Sequence, residues 1–243
     1  MMQHVAVAGA SGRLGSLVCE VIDAHPDFTL IARIGRDSAA DAGADADIVF
    51  DVTELEASQR LTRAALARGQ KVIIGTSGYA ADELAALDDH VRASAGGAAL
   101  VVPNFSLGSV IGTMLARIAA PHFASVEIVE AHHAQKVDSP SGTAVRTAEE
   151  IAAAKRGEAI LAPHPEQPAR GTLIAGVPVH SLRLQGVVAK QEVRFGGAGE
   201  VLTITHDTHS PDAYRAGIKA ALESISGLEG LVVGLEQILV DRA

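Results

Sequence analysis

Tryptophan is absent from this 243-residue chain, and aromatic residues of every kind make up only 3%. Surfaces that stack bases or sugars are built from such rings, so little material for them exists here. The one cysteine, Cys19, excludes an intramolecular disulfide and a cysteine-built zinc cage, and suits a reducing compartment. Positive charge is also short. Twenty Lys+Arg face 29 Asp+Glu, a formal net charge of -9, which argues against a nucleic-acid partner or a polybasic membrane surface. Any bound anion must therefore be held by a local site against a repulsive background. No long apolar run is present, and Met1-Met2-Gln3-His4 enters an apolar stretch without a basic leader. Neither a membrane span nor an export signal is expected, and a cytoplasmic enzyme is the natural reading.

What the chain does have is apolar bulk. Hydrophobic residues account for 48%, enough for one large core or two modest ones and too much for a disordered tether. Short apolar runs at Val5–Ala8, Phe28–Arg33, Asp47–Asp51, Lys71–Gly75 and Ala98–Val102 read as strands of a sheet covered on both faces. Between them, Arg13–Ala24, Leu55–Arg68 and Asp82–Ser94 have helical spacing with charge on one face. This βαβ series predicts a Rossmann-like, doubly wound parallel sheet. The polar stretch Ile34–Ala46 is too short for a crossover helix and predicts an abbreviated connection.

After Asn104 the rhythm changes to an α+β pattern. A helix at Leu107–Ala119 precedes a long strand at Ser125–His133, a Pro/Ser/Gly loop and a helix at Ala144–Arg156. Three strand-like runs follow at Val177–Gln185, Val187–Phe195 and Val201–His206, spaced as an antiparallel meander. A helix from about Asp212 and an apolar tail, Leu231–Val240, end the sequence. The expected division is a dinucleotide-binding domain over residues 1–105 and a mixed-sheet substrate and oligomerisation domain over 106–210. The final segment, 211–243, is free to return to the first.

Two segments carry chemistry. The first, Gly9-Ala10-Ser11-Gly12-Arg13-Leu14-Gly15, follows the first strand and opens a helix with the spacing G-x-x-G-x-x-G. In this variant of the dinucleotide fingerprint Gly9 permits the tight turn, Gly12 the approach of a pyrophosphate, and Gly15 helix–strand packing. Amides at the helix start, with its dipole, attract phosphate. At the end of the second strand the sequence reads Ala32-Arg33-Ile34-Gly35-Arg36-Asp37. An acid there would bind a ribose 2′-hydroxyl, whereas arginine accommodates a 2′-phosphate. NADPH is therefore the expected cofactor, with Arg36 the first candidate reader and Arg33 the second, and NADH use stays open.

The second segment is Glu130-Ala131-His132-His133-Ala134-Gln135-Lys136-Val137-Asp138-Ser139-Pro140-Ser141-Gly142-Thr143-Ala144. Ser141 is placed to cap the helix that follows. The amides near Gly142 and Thr143, with the Thr143 hydroxyl, would form a carboxylate pocket. Lys136 adds a cation, and His132 can exchange protons near neutral pH. Adjacent histidines on a strand point to opposite faces, so one of the pair can be structural. No metal is expected, because no carboxylate lies at good ligand spacing.

Together these segments closely resemble the 4-hydroxy-tetrahydrodipicolinate (dihydrodipicolinate) reductase family. The likeness runs through Val7–Gly15, Gly75-Thr76-Ser77-Gly78, Pro103-Asn104-Phe105-Ser106, Glu130–Ala144 and Gly176–Asp207. The resemblance implies reduction of a hydroxylated cyclic imine dicarboxylate, with loss of water, in the diaminopimelate route to lysine. It implies His132 as proton donor or acceptor, Lys136 as proton donor, and His133, Ser141, Gly142 and Thr143 around the substrate. By the same likeness Gly9, Ala10, Ser11, Gly12, Arg13 and Leu14 hold the pyrophosphate. Gly75, Thr76, Ser77, Val102, Pro103, Asn104 and Phe105 line the nicotinamide side. It further implies a homotetramer built through the second domain's sheet, and domains that close over the substrate. Three positions depart from the family pattern: Gly35-Arg36 where an acid is common, Ser77 where threonine is usual, and Pro211 where many relatives have arginine. A reductase of another imine or oxo acid and a nucleotide-sensing module are the competing readings.

Overall fold

The computed structural model describes residues 2–39 and 41–240, which fall into two compact units, one of residues up to Ser106 together with Tyr214 onward, the other Leu107–Ala213. The first unit is a six-stranded sheet. Its strands are β1 (Gln3–Ala8), β2 (Phe28–Ile34), β3 (Ile48–Asp51), β4 (Lys71–Ile74), β5 (Ala98–Val101) and, from the end of the chain, β11 (Gly230–Val233). They run in the order β11-β5-β4-β3-β1-β2, with every pairing parallel. Parallel neighbours need a crossover and bury both faces, which is why β1, β3 and β5 are apolar almost throughout. Helices α1 (Arg13–Asp23) and α6 (Arg215–Ile225) pack together, as do α2 (Leu55–Ala67) and α3 (Ala81–Ala93). The described residues between β2 and β3 form turns without a helix, the abbreviated connection the polar stretch predicts.

The apolar tail is not one element. Leu231 and its neighbours form β11 beside β5, and a short helix α7 (Glu236–Val240) follows. An edge strand of a parallel sheet reads as a plain apolar run, which alone does not separate it from a helix.

The second unit holds a five-stranded mixed sheet of β6 (Ser125–His133), β7 (Thr172–Ile174), β8 (Val177–Leu184), β9 (Ala189–Gly197) and β10 (Glu200–Thr208). Helices α4 (Leu107–Ala119) and α5 (Gly142–Ala154) cover one face. Val126, Ile128, Val179, Val193, Phe195 and Ile151 are the buried heart of this layer. Each such side chain contributes about 1.5–3 kcal/mol by leaving water.

The expected meander is corrected here. The strand order is β10-β9-β6-β8-β7, so β8 and β9 do not pair; β6 lies between them, parallel to β8 and antiparallel to β9. Residues 185–188 carry the chain past the end of β6, across two strand spacings of about 4.8 Å each. Spacing along the sequence made a hairpin plausible, but the long, apolar β6 offers two free edges and takes both neighbours.

Candidate active site

In the first unit the fingerprint loop has the geometry its glycines require. Gly9 sits at φ +80°, and a Cβ there would stand 2.4 Å from the Val52 carbonyl oxygen. A Cβ on Gly15 would meet the Gly9 oxygen at 2.1 Å, so this glycine's tight contact is with the loop's own backbone rather than with the strand. Gly12 is the N-cap of α1 and offers no side-chain acceptor, and the first turn holds no acid. The amides of Arg13 and Leu14 lie in that first turn, where an α-helix leaves its N–H groups without intrahelical acceptors. Ala10 and Ser11 complete the turn, with Ser11 and Arg13 exposed. A backbone cradle that any side chain would fill, at the positive end of a helix dipole, fits a dinucleotide pyrophosphate.

Backbone bonds tie the neighbouring loops together at the same sheet edge. Val52 donates to the Ala8 oxygen at 3.0 Å, Gly75 to Asp51 at 2.8 Å, and Val102 to Ile74 at 2.7 Å. The buried Asp51 accepts the hydroxyls of Thr53 at 2.6 Å and Thr76 at 2.7 Å, fixing the Gly75–Ser77 loop from beneath. Sequence reading missed Asp51, since a carboxylate ending a buried strand shows nothing of its partners. Phe105 stacks on Phe50 at 5.6 Å, and its ring would lie 2.7 Å from a Cβ on Gly75, so that position is held to glycine. Val102 is buried, Pro103 and Ser77 are exposed, and the Asn104 Oδ1 accepts the Ser106 amide at 2.8 Å. Arg36 lies in the turn after β2 with its side chain 93% exposed, 3.8 Å from Glu54. Arg33, on β2, stands 3.6 Å from Asp23.

In the second unit β6 delivers Glu130 and His132 to the face covered by helices. Strand alternation puts His133 on the other face, where it is exposed. His132 Nδ1 lies 2.6 Å from Glu130 Oε2. Glu130 has no exposed surface, and Arg183 of β8 grips it with two bonds of 3.0 Å. Burial would raise the Glu130 pKa, but hydrogen bonds from Arg183, Ser181 and His132 outweigh it and hold the carboxyl below its ordinary range. Burial pushes His132 below the ordinary histidine value, against an opposing pull from Glu130. Lys136 binds both oxygens of Asp138, at 2.7 and 2.8 Å, and thereby lowers the Asp138 pKa.

Ser141 caps α5: its hydroxyl accepts the Ala144 amide at 3.2 Å, and its own amide donates to Glu130 at 3.3 Å. Both of its polar groups are thus engaged within the protein, and it supports the helix start. Gly142 and Thr143 begin that helix, and open space surrounds Gly142. The positive end of the dipole there favours a carboxylate. His132, Lys136, Gly142 and Thr143 belong to one strand–loop–helix unit, and Arg183 joins them from 53 residues beyond Glu130. No sequence pattern pointed to Arg183, because only strand pairing sets it beside His132. Among the described residues no cluster of His, Cys, Asp and Glu suits a metal, and no helix is long and apolar enough to cross a membrane.

Comparison with known proteins agrees along the length of the chain. Residues 3–105 match the family model for dihydrodipicolinate reductase, N-terminus, and residues 108–239 that for dihydrodipicolinate reductase, C-terminus. The 4-hydroxy-tetrahydrodipicolinate reductase of Clavibacter sepedonicus is 47% identical, covering 98% of this chain and 87% of the relative. That of Mycolicibacterium smegmatis is 38% identical over 97% of this chain and 98% of the relative. A dipicolinate-bound dihydrodipicolinate reductase from Paenisporosarcina sp. TG-14 superposes with a TM-score of 0.85 at 28% identity, covering 98% of this chain and 100% of that one. Two matched domains, near-complete coverage and a shared fold leave one conclusion: the chain belongs to the dihydrodipicolinate reductase family.

Proposed function

We propose that this protein reduces 4-hydroxy-tetrahydrodipicolinate to tetrahydrodipicolinate with loss of water, in the diaminopimelate route to lysine, with His132 and Lys136 as its proton carriers. Family membership supports the reaction. The observation that carries the residue roles is the Glu130–His132 pair on β6, which leads through the loop bearing Lys136 into the Ser141-capped start of α5. A dicarboxylate substrate needs cations and amide donors, and Lys136, Gly142 and Thr143 offer them despite the acidic chain. Ser141 belongs to the same proposal by shaping the helix start, whereas His133 lies on the face of β6 opposite to His132 and enters the proposal on the family likeness alone.

A reduced nicotinamide, when bound, supplies the hydride, and the protein supplies placement and charge. Gly9–Leu14 hold the pyrophosphate, and Gly75–Ser77 with Val102–Phe105 line the nicotinamide side. The conjugated substrate becomes electron-rich and enamine-like once it has taken the hydride, and Lys136 Nζ delivers the proton it then needs, while His132 exchanges one at its imidazole. NADPH is the preferred cofactor, read by the exposed guanidinium of Arg36.

A cytoplasmic homotetramer completes the proposal. The uncovered face of the second sheet carries Leu182, Leu184 and Val201, which are exposed, among ion pairs of Glu127 with Arg170 and of Glu192 with Lys190 and Arg194. Apolar side chains framed by charge suit a self-complementary contact. Sedimentation of the purified protein should show four copies.

The activity is tested by coupling the protein to the synthase that makes its unstable substrate and following NADPH oxidation. Absence of oxidation with freshly made substrate would remove the reaction from this chain.

A further inference from the structure

We propose that Glu130 and Arg183 are positioning residues for proton transfer: the buried carboxylate, held ionised by the guanidinium, fixes His132 as its Nδ1–H tautomer and leaves Nε2 as the working nitrogen. The inference rests on the reading of His132 as a proton carrier.

Donors from Arg183, Ser141, Ser181 and His132 converge on a side chain with no exposed surface. Arg183 reaches both oxygens at 3.0 Å, the Ser141 amide reaches Oε1 at 3.3 Å, and His132 Nδ1 reaches Oε2 at 2.6 Å. A lone buried carboxyl would take up a proton; a two-pronged guanidinium keeps it charged. An ionised carboxylate only accepts, so the hydrogen in the 2.6 Å contact belongs to Nδ1. The lone pair of the neutral ring then sits on Nε2. The charged groups around the imidazole are Glu130 on its own strand, Arg183 on β8 and Lys136 on the loop, while its partner on β9 is Ala189.

Arg183 has a second attachment. Its NH2 group donates to the Asp138 carbonyl oxygen at 2.6 Å, tying down the loop that carries Lys136. One guanidinium thus orients both proton carriers, although its buried Nε–H finds no acceptor. An ion pair serving stability alone has no need to reach the ring nitrogen and the lysine loop together.

The Glu130→Gln variant tests this. Its oxygen is kept at the Oε1 position, where Arg183 Nη2 and the Ser141 amide both donate. Its amide NH2 then takes the Oε2 position, loses the bond from Arg183 Nη1, and can no longer accept from Nδ1–H, which favours the Nε2–H tautomer. The kcat should fall by about 10²-fold or more while KM values stay within roughly threefold. Side-chain ¹⁵N spectra should show neutral His132 as Nδ1–H in the native protein and as Nε2–H in the variant. Arg183→Lys, which keeps the charge but loses the fork, should lose less turnover than Glu130→Gln. A native spectrum showing Nε2–H overturns the proposal, and decides the matter even if the variant does not fold. Native kcat in Glu130→Gln, with His132→Gln inactive, overturns it equally. Turnover surviving in His132→Gln would instead remove the proton-carrier reading beneath it.

Discussion

Lys136 and Asp138 form a two-point ion pair, the ammonium 2.7 and 2.8 Å from the two carboxylate oxygens. A dicarboxylate that recruits Lys136 must displace Asp138, a competitor of like charge that is half exposed. Asp138→Asn removes the competitor and should lower KM for the substrate about two- to fivefold at low salt, the worth of an exposed ion pair. The gain should shrink as salt screens the charges. A KM that is unchanged or higher would show that Asp138 does not compete.

His132→Gln and Lys136→Ala should each reduce turnover about 10²–10⁴-fold, the usual contribution of a positioned acid or base. NADPH affinity, read by fluorescence titration, should stay at the native value, because both residues belong to the second unit and the cradle to the first. Near-native turnover in either variant would dismiss that residue as a proton carrier.

Arg36→Ala should raise the NADPH Kd about tenfold, the worth of one charge-assisted phosphate contact, and leave NADH almost untouched. Its ion pair with Glu54 at 3.8 Å, with both side chains largely exposed, is too weak to hold the guanidinium from a phosphate. Equal losses for the two cofactors would exclude Arg36 as the reader of the 2′-phosphate.

Gly15→Ala places a methyl group 2.1 Å from the Gly9 carbonyl oxygen, a contact only backbone movement relieves. The expected cost is about 1–3 kcal/mol in urea unfolding, together with weakened binding of either cofactor. Native stability and affinity would mean that this helix does not seat on the loop as closely as its geometry requires.

Acid should destabilise the protein in two stages. Burial holds His132 and His206 below the ordinary histidine value in the folded state. The unfolded chain therefore binds more protons below about pH 6.5, and stability begins to fall there. Burial alone would raise Glu127 and Glu130, yet their bonds to Arg170 and His180, and to Arg183, Ser181 and His132, depress them. Their contribution is complete above the unfolded value of about 4.3 and is lost as pH falls through the lower folded values. Urea midpoints between pH 8 and pH 3 check this, and a midpoint that rose on acidification would reverse the sign.

The resemblance and the fingerprint made much of this protein legible. The boundaries of β6 and α4 agree with their periodicity because each strand or helix writes its pattern locally. Ser141 was readable as a cap for the same reason. The partner of β6 was not: three apolar runs in succession resemble a meander, and nothing local says that the earlier strand will enter between two of them. Nor did the apolar tail reveal that Leu231 completes the first unit's sheet.

By itself the sequence determined the candidates for dinucleotide binding and proton transfer, since the Gly9–Gly15 loop is one local pattern and His132-x-x-x-Lys136 before a capped helix is another. Only the tertiary structure decided what governs them. Arg183 meets Glu130 because two strands far apart in sequence align in register, and Asp51 holds Thr76 because neighbouring parallel strands end at one edge. Pairing across a sheet is a long-range choice set by burial and backbone hydrogen bonding, and the order of residues along a chain does not record it.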